Sequence, residues 1–322
     1  MTLRNLSAPF LRREKTAVSM MTDALLALCA LLVLPTVYFG PRVLLLALVS
    51  MAACAACDIL FCLIFRHSFG SGDPSALVTG LAIALLLPAN APYWLPALAG
   101  VFAILVVKEP LGSTGRNLFN PAAAGVAFVT VCRPDLVCLY PNPDYGWLPL
   151  ASDTTSVLGA SPGSALAQGL KPSILPLDLL WGVYPGPMGC TAALVLGAAA
   201  LFLLARRSIR LETMVFFLAA AALAAVLFPR IYCPALTSVK YELLTGSLLF
   251  CAVFFLGDPV TTPRTFTGRC AFGVLTAVLL MGIRHAGAYE QGACFAVLIA
   301  NAFTPVLDRA VIELRRRGVR LP

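Results

Sequence analysis

The residues of this chain whose types could do chemistry fall into three sets. The first is acidic: Asp58 lies within an apolar run, and Asp73 and Asp258 stand at run ends in the pairs Asp73-Pro74 and Asp258-Pro259. Carboxylates in apolar surroundings are costly and are ion- or proton-path candidates by default, although Asp-Pro pairs at run ends also act simply as loop formers. The second set is Lys108, Arg116, Asn117 and Asn120. These residues can hold an anion or a polar cofactor edge or dock a neighbouring protein, and the plain alternative is capping by the asparagines and snorkelling by the cations. The third is a hydroxyl-rich stretch, Asp153-Thr154-Thr155-Ser156-Val157-Leu158-Gly159-Ala160-Ser161-Pro162. Composition alone makes it a small-residue surface loop.

Other chemistries are disfavoured. Of eleven cysteines, Cys29, Cys54, Cys62, Cys190, Cys251, Cys270 and Cys294 sit in or beside apolar runs and behave as small hydrophobes. Cys54 and Cys57 form a C-x-x-C without a second pair at metal spacing, while Cys132, Cys138 and Cys233 leave a bridge open. The two histidines, His67 and His285, lie at run edges and read as interfacial residues. Neither a nucleotide-binding glycine motif nor an iron–sulfur cysteine cluster is present in the sequence.

What must position these groups is a set of membrane helices. The chain has 322 residues, 60% hydrophobic and 12% charged, and a mean hydropathy of +0.89, outside the range of water-soluble domains. Apolar stretches run over residues 20–39, 42–66, 75–88, 93–107, 119–132, 185–205, 211–228, 241–256, 269–284 and 289–306, giving about ten spans. Those broken by Pro or Gly, such as 75–88 and 119–132, read as discontinuous helices lining a polar cavity. Tyr38-Phe39-Gly40-Pro41 does not resemble a small-residue cleavage site, so the first span is expected to be retained. Assigning alternate loops to the cytoplasm, starting from the N-terminal tail, places 17 of the 23 Lys and Arg inside. Both termini are then cytoplasmic, the net charge of +8 faces anionic lipid, and nucleic-acid binding is disfavoured.

Internal symmetry completes the pattern. The Asp73-Pro74 and Asp258-Pro259 pairs flank spans three and eight, and Asn120-Pro121 in span five matches Asn301 and Pro305 in span ten. Two five-span halves must be inverted relative to each other because five is odd. The expected organisation is a cytoplasmic tail over 1–19, a first five-helix repeat over 20–132, an extracytoplasmic loop over 133–184, a second repeat over 185–306 and a basic cytoplasmic tail over 307–322.

The stretches GDPSALVTGLAIALLLPANAPYWLPALAGVFAILVVKEPLGSTGRNLFNPAAAGVAF, GSLLFCAVFFLGDPVTTP and YEQGACFAVLIANAFTPVLDR resemble the RnfD component of Rnf electron-transport complexes. They equally resemble its sister, the NqrB component of the sodium-pumping NADH:quinone oxidoreductase. The resemblance extends over roughly 20–312. It implies an all-α polytopic protein of ten helices in two inverted repeats, urea-transporter-like, in the inner (cytoplasmic) membrane. It also implies FMN esterified through its phosphate to a loop hydroxyl outside the cytoplasm, and some members hold a riboflavin as well.

The family pattern, close to Asp-x-x-(Ser/Thr)-(Gly/Ser)-Ala-(Thr/Ser)-Pro-Leu, matches Gly159-Ala160-Ser161-Pro162 best and makes Ser161 the flavin-bearing candidate, with Asp153 as the motif's carboxylate. Two extra residues separate Asp153 from Ser161, Ser replaces Thr, and Gly163 replaces Leu. A shifted alignment moves the ester to Thr155, Ser156 or Ser164. Lys108 and Asn120, at the cytoplasmic ends of their spans, suit a second flavin. Where the family carries a Glu, this chain reads Gly186-Pro187-Met188-Gly189-Cys190-Thr191, which weakens any ion-coupling role at that point. The function implied is a flavin-bearing membrane subunit of an Rnf-type ferredoxin:NAD⁺ oxidoreductase, a translocase component relaying electrons and coupling them to Na⁺ or H⁺ transport. Its partners would be the other membrane and peripheral subunits and a flavin transferase. The rival is a small-solute or ion transporter on the same scaffold without flavin.

Overall fold

The computed structural model describes residues 16–65, 73–111, 117–151, 157–287 and 292–317. The chain enters through α1 (Ala17–Leu31) and α2 (Val33–Phe39), then α3 (Arg42–Phe65), α4 (Ser75–Leu86) and α5 (Trp94–Phe102), which continues as a π-helix over Ala103–Lys108. After α6 (Pro121–Cys132) come α7 (Pro134–Val137), the strands β1 (Tyr140–Pro141) and β2 (Leu158–Gly159), α8 (Pro162–Ala167) and α9 (Pro176–Trp181). The remainder is α10 (Ala193–Ala205), α11 (Leu211–Leu227), α12 (Ala235–Leu244), α13 (Leu248–Phe250) with a second π-helix over Cys251–Phe255, α14 (Phe266–His285) and α15 (Gly292–Arg316).

Local chemistry sets many of these boundaries. The Thr16 hydroxyl caps α1 by accepting from Ser19 N–H, Asn120 Oδ1 caps α6 ahead of Pro121, and Thr265 caps α14. Each satisfies a donor that a helix N-terminus otherwise leaves open. Gly40, at φ 79°, closes α2 just before Pro41. Pro305 sits inside α15.

Four helices among the described residues are long and apolar enough to cross a membrane: Ala17–Phe39, taken through its break, Arg42–Phe65, Phe266–His285 and Gly292–Leu314. A fifth joins them if Ala235–Leu244 and Leu248–Phe255, bent by 67°, form one span. Shorter apolar helices of 10–17 residues fill the other five apolar runs. Outward-facing Leu48, Leu63, Leu201, Leu223 and Val278 are exposed, as side chains meeting lipid must be, and the chain is built as a polytopic membrane protein. Two boundaries differ from the expectation. The run 185–205 becomes helical only at Ala193, because Pro185, Gly186, Pro187 and Gly189 keep 185–192 unwound. The run 241–256 breaks at Thr245-Gly246-Ser247, with Gly246 at φ 67°. The connection over 133–184 also carries short helices and a two-stranded sheet.

The breaks must be satisfied internally, since an unpaired peptide group at membrane depth costs several kcal/mol. Beyond α4 the chain unwinds, and carbonyls at the helix end accept from the other unwound segment: Met188 N–H donates to Leu87 O at 3.2 Å, just past α4, and Gly189 N–H to Leu85 O, in its last turn, at 2.6 Å. Arg42, wholly buried, donates from Nε to Ala89 O at 3.0 Å and from Nη2 to Asn90 O and Ala91 O at 3.4 and 3.0 Å. Its Nη1 donates to Pro149 O at 2.9 Å and to Ala151 O, so one guanidinium joins the break to the long connection. Close helix packing supports this: a Cβ on Gly80 would come 2.7 Å from the Met51 backbone, and the Ser50 hydroxyl donates to Gly80 O at 2.6 Å. Small residues at such crossings let helices approach without a solvent-driven hydrophobic effect.

Arg42→Leu keeps the bulk but strands several buried carbonyls, each at a cost of about 1–3 kcal/mol. Thermal unfolding in detergent is expected to show a loss of about 3 kcal/mol or more, with Arg42→Lys falling between the two. Wild-type stability in the leucine variant would show that these contacts do not hold the break.

Candidate functional site

The hydroxyl-rich stretch sits at the end of the molecule that also carries α2's C-terminus, the break after α4 and α12. Asp153, Thr155 and Ser156 lie outside the described residues. From Val157 onward the chain is pinned: β2 pairs antiparallel with β1, with Tyr140 opposite Gly159, and Asn142 N–H donates to Val157 O at 3.0 Å. Gly159 is required by space, since a Cβ there would fall 2.3 Å from Pro185 Cγ. Ala160 is exposed, and Ser161 follows as the N-cap of α8. Its Oγ accepts from Ser164 N–H at 3.1 Å, and Ser161 is only 3% exposed. The expectation of an open, flexible hydroxyl therefore changes: Pro162 at the first helical position and Ser at the cap fold this segment into a helix start. Ser164, half-buried, donates from its own hydroxyl to Ser161 O at 2.7 Å.

Beside α8 lies a cavity of about 320 Å³, lined among others by Cys138, Ser164, Gln168, Arg230, Gly246 and Arg284. Its size reaches the lower range of cofactor pockets. Two of the six basic residues that the charge count placed outside, Arg230 and Arg284, converge here on buried Glu242. Sequence reasoning singles out neither these arginines nor Glu242. An acid inside the apolar run 241–256 is the signal available, by the same rule that picks out Asp58.

Lys108 and Asn120 are not near this site. They line a second cavity, about 130 Å³ in volume, at the opposite end, together with Ser75, Thr79, Asn117 and Asp258 among mostly apolar side chains. Lys108 does not snorkel: it is 2% exposed, and its Nζ meets Asp58 Oδ1 at 2.7 Å and Glu109 Oε1 at 3.6 Å. Asp58 is thereby accounted for as the partner of a buried cation. Asn120 spends its Oδ1 on the Ala123 N–H cap, whereas Asn117 Oδ1 is buried and has no hydrogen-bond partner among the described residues. The two Asp-Pro pairs adopt the same turn, with Asp73 Oδ1 accepting from Ser75 N–H at 3.0 Å and Asp258 Oδ1 from Val260 N–H at 2.9 Å. Ser75 and Asp258 open on the same cavity. Buried Asp23, also missed from sequence, holds Arg206 Nη2 at 2.9 Å and the Ser208 hydroxyl at this end. His67 and Arg116 lie outside the described residues, and no disulfide joins any of the cysteines among the described residues.

An electron-carrying ring system needs a mostly apolar slot with a few convergent polar groups, and a phosphorylated one needs cations as well. The cavity beside α8 offers guanidiniums. The cavity at Lys108 offers an apolar slot, a buried ammonium and an unpartnered amide oxygen. The cavity beside α8 reaches the lower size range of cofactor pockets, whereas the cavity at Lys108 lies below that range and offers polar groups at an apolar slot.

Comparison with known proteins gives the relatives of the chain. Residues 5–316 match the family model described as the NQR2, RnfD, RnfE family. The chain is 32% identical over 270 residues to the D component of the ion-translocating oxidoreductase complex of Halorhodospira halophila, covering 74% of each. It is 30% identical to the protein of the same name in Klebsiella pneumoniae, covering 96% of this chain and 97% of that one. It is also 28% identical to the D component of the Na(+)-translocating ferredoxin:NAD(+) oxidoreductase complex of Acetobacterium woodii, over 95% of this chain and 93% of that one.

The Asp258 carboxyl gives the cavity at Lys108 a pH dependence. Burial pushes it up from the usual 3.8 to about 6, against the lowering pull of the Val260 N–H and the Thr261 hydroxyl. The folded protein thus holds this proton more tightly than the unfolded chain, and this group costs stability progressively as pH rises from about 4 through 6. Asp258→Asn keeps an acceptor for Val260 N–H and removes the ionisation. Relative to wild type, its unfolding temperature in detergent is expected to rise between pH 4.5 and 7.5. An offset constant across that range would contradict the assignment.

Proposed function

We propose that this chain, which belongs to the NQR2, RnfD, RnfE family, is the flavin-bearing membrane subunit of an Rnf-type ferredoxin:NAD⁺ oxidoreductase complex. In this reading it lies in the inner membrane with both termini cytoplasmic and crosses about ten times in two inverted five-helix halves. In support, each of the ten apolar runs contains a helix or a bent helix pair. Helices at matching positions of the two halves also pack together, α1 on α10 and α6 on α15.

The observation that carries the functional reading is the Gly159-Ala160-Ser161-Pro162 segment, folded against the cavity-forming part of the long connection. Ser161 would hold FMN as a phosphoester, with Ser164 as the neighbouring hydroxyl. The flavin supplies one- and two-electron transfer when bound, and the chain supplies orientation and a polar setting. Gly159, by leaving room for Pro185, fixes where the acceptor hydroxyl stands. A second, non-covalent flavin would take its polar contacts from the Lys108 ammonium and the Asn117 amide oxygen at the cavity there. Flavins held there would supply electron transfer between partner subunits, coupled to Na⁺ or H⁺ movement, and a flavin transferase would install the ester.

In-gel flavin fluorescence after full denaturation separates this reading from a flavin-free transporter on the same scaffold. Protein made together with a flavin transferase is expected to carry a fluorescent band, reduced at least tenfold in Ser161→Ala and retained in Ser164→Ala. A dark wild-type band would overturn the covalent-flavin reading. A non-covalent flavin released in stoichiometric amount before the gel is the parallel expectation for the second cavity, and its loss in Lys108→Met tests that placement.

A further inference from the structure

The turn between α10 and α11 is strained at one residue. Helix α10 ends in a paired cap, with Arg207 N–H donating to Leu204 O and Ser208 N–H to Leu203 O, both at 2.9 Å. That pattern sets the residue after the helix cap in the left-handed region, a place glycine ordinarily takes because a Cβ is crowded there. Here the residue is Arg207, at φ 51°, the one non-glycine with positive φ among the described residues. The gain from a cation at a helix C-terminus does not require it, since Arg206 already stands at the cap. Nor does the turn need its side chain: buried Asp23 fixes the turn by holding Arg206 and the Ser208 hydroxyl. Arg207 itself is exposed and has no ion pair among the described residues.

A strained non-glycine residue points to a function for its side chain, and the surroundings say which one. Arg210, three residues on, is the N-cap of α11 and has no carboxylate partner among the described residues. Acids of the adjoining elements are engaged elsewhere: Asp23 with Arg206, Glu212 with Arg269, and Asp308 with Arg264 N–H and the Thr265 hydroxyl. On either side of the turn the helices expose apolar side chains, Leu201 and Phe202 on α10 and Leu211 and Val215 on α11. The arginines therefore stand where two lipid-facing helix surfaces reach water. An anionic phospholipid meets both parts of this surface: its phosphoryl group takes the guanidinium fork, and its acyl chains lie along the exposed apolar side chains. A soluble anion or an acidic protein loop would use the first part alone.

We propose that Arg207 and Arg210 form a headgroup site for an anionic phospholipid at the turn between α10 and α11. The site lies at the end of the bundle that holds the cavity at Lys108, whose wall includes Ser208 and Ile209 of the same turn. Arg207→Gly removes the side chain where the backbone favours glycine, so the fold keeps or gains stability while the site is lost. Arg207→Asn, the other residue type that tolerates left-handed backbone, repeats the test. Arg317→Gln, which removes an exposed charge at the end of α15, controls for net charge.

Each full-length protein, purified in detergent, is mixed with equal amounts of palmitoyl-oleoyl phosphatidylglycerol and phosphatidylcholine. Native mass spectrometry counts the retained lipid, and melting is followed with and without it. Wild type and Arg317→Gln are expected to retain phosphatidylglycerol in preference to phosphatidylcholine and to melt higher with it. Both Arg207 variants are expected to retain about fivefold less phosphatidylglycerol while melting, without lipid, no lower than wild type. Equal retention of the two lipids by wild type overturns the proposal. So does an equal loss in Arg317→Gln, which would show diffuse surface charge. Stabilisation by inorganic phosphate alone, lost in both Arg207 variants, would show a soluble-anion site and overturn the lipid assignment. Lipid-free melting below wild type in both Arg207 variants would make the arginine a structural residue and overturn it as well.

Discussion

The structure depends on satisfying peptide groups where helices stop inside an apolar slab. α4 ends at Leu86, and its last turn and the chain beyond it leave carbonyls that need partners within the protein. Met188 and Gly189 N–H groups from the far half of the sequence meet two of them, and the Arg42 guanidinium meets three more. That crossing ties the halves together at one end. It also explains why so much hangs there: Trp147 Nε1 donates to Val37 O, Leu148 N–H to Phe39 O, Tyr93 to Leu150 O and Tyr38 to Trp181 O. The long connection that carries the hydroxyl segment is thus fastened along its length.

The same economy governs charge. Asp23 holds Arg206 and Ser208, Asp58 holds Lys108, and Glu242 holds Arg230 and Arg284. Such pairs add little net stability, since desolvation offsets the Coulombic gain, but losing one member is costly. Their placement matters more than their strength. One pair opens on the cavity at Lys108 and one cluster on the cavity beside α8, so two polar pockets face opposite ends of an otherwise apolar bundle.

Much of this is legible in the sequence, for reasons that mark where legibility stops. Hydropathy locates the ten apolar runs, each of which holds helix, because burial in lipid demands an apolar stretch whatever its partners, but it does not show the short helices α7, α8 and α9 of the connection. The Pro residue at 88 forecasts the break after Leu86, whereas the break at Thr245-Gly246-Ser247 is hidden inside the apolar run 241–256, and 185–192 reads as helix because its apolar side chains mask the backbone constraint. The Asn120 cap is readable from Asn-Pro, and Ser161-Pro162 carries the same cue, which the expectation of an open loop overlooks. Arg42 is not readable, because its acceptors are backbone carbonyls 47 to 109 residues away and leave no side-chain signature. Lys108 looks like a snorkelling cation because Asp58, fifty residues earlier, is its partner only in three dimensions. Asp23 and Glu242 need only the rule that picks out Asp58.

The family to which the chain belongs underlies the proposed chemistry, and the two cavities are where the proposal sets it. The central claim is that one hydroxyl beside the cavity at α8 carries a covalent flavin. Mass spectrometry of the peptide spanning 153–171 from membranes with an active flavin transferase tests it most directly. The account predicts a mass increment of FMN less one water, with fragmentation placing it on Ser161. An unmodified peptide at full occupancy would contradict it.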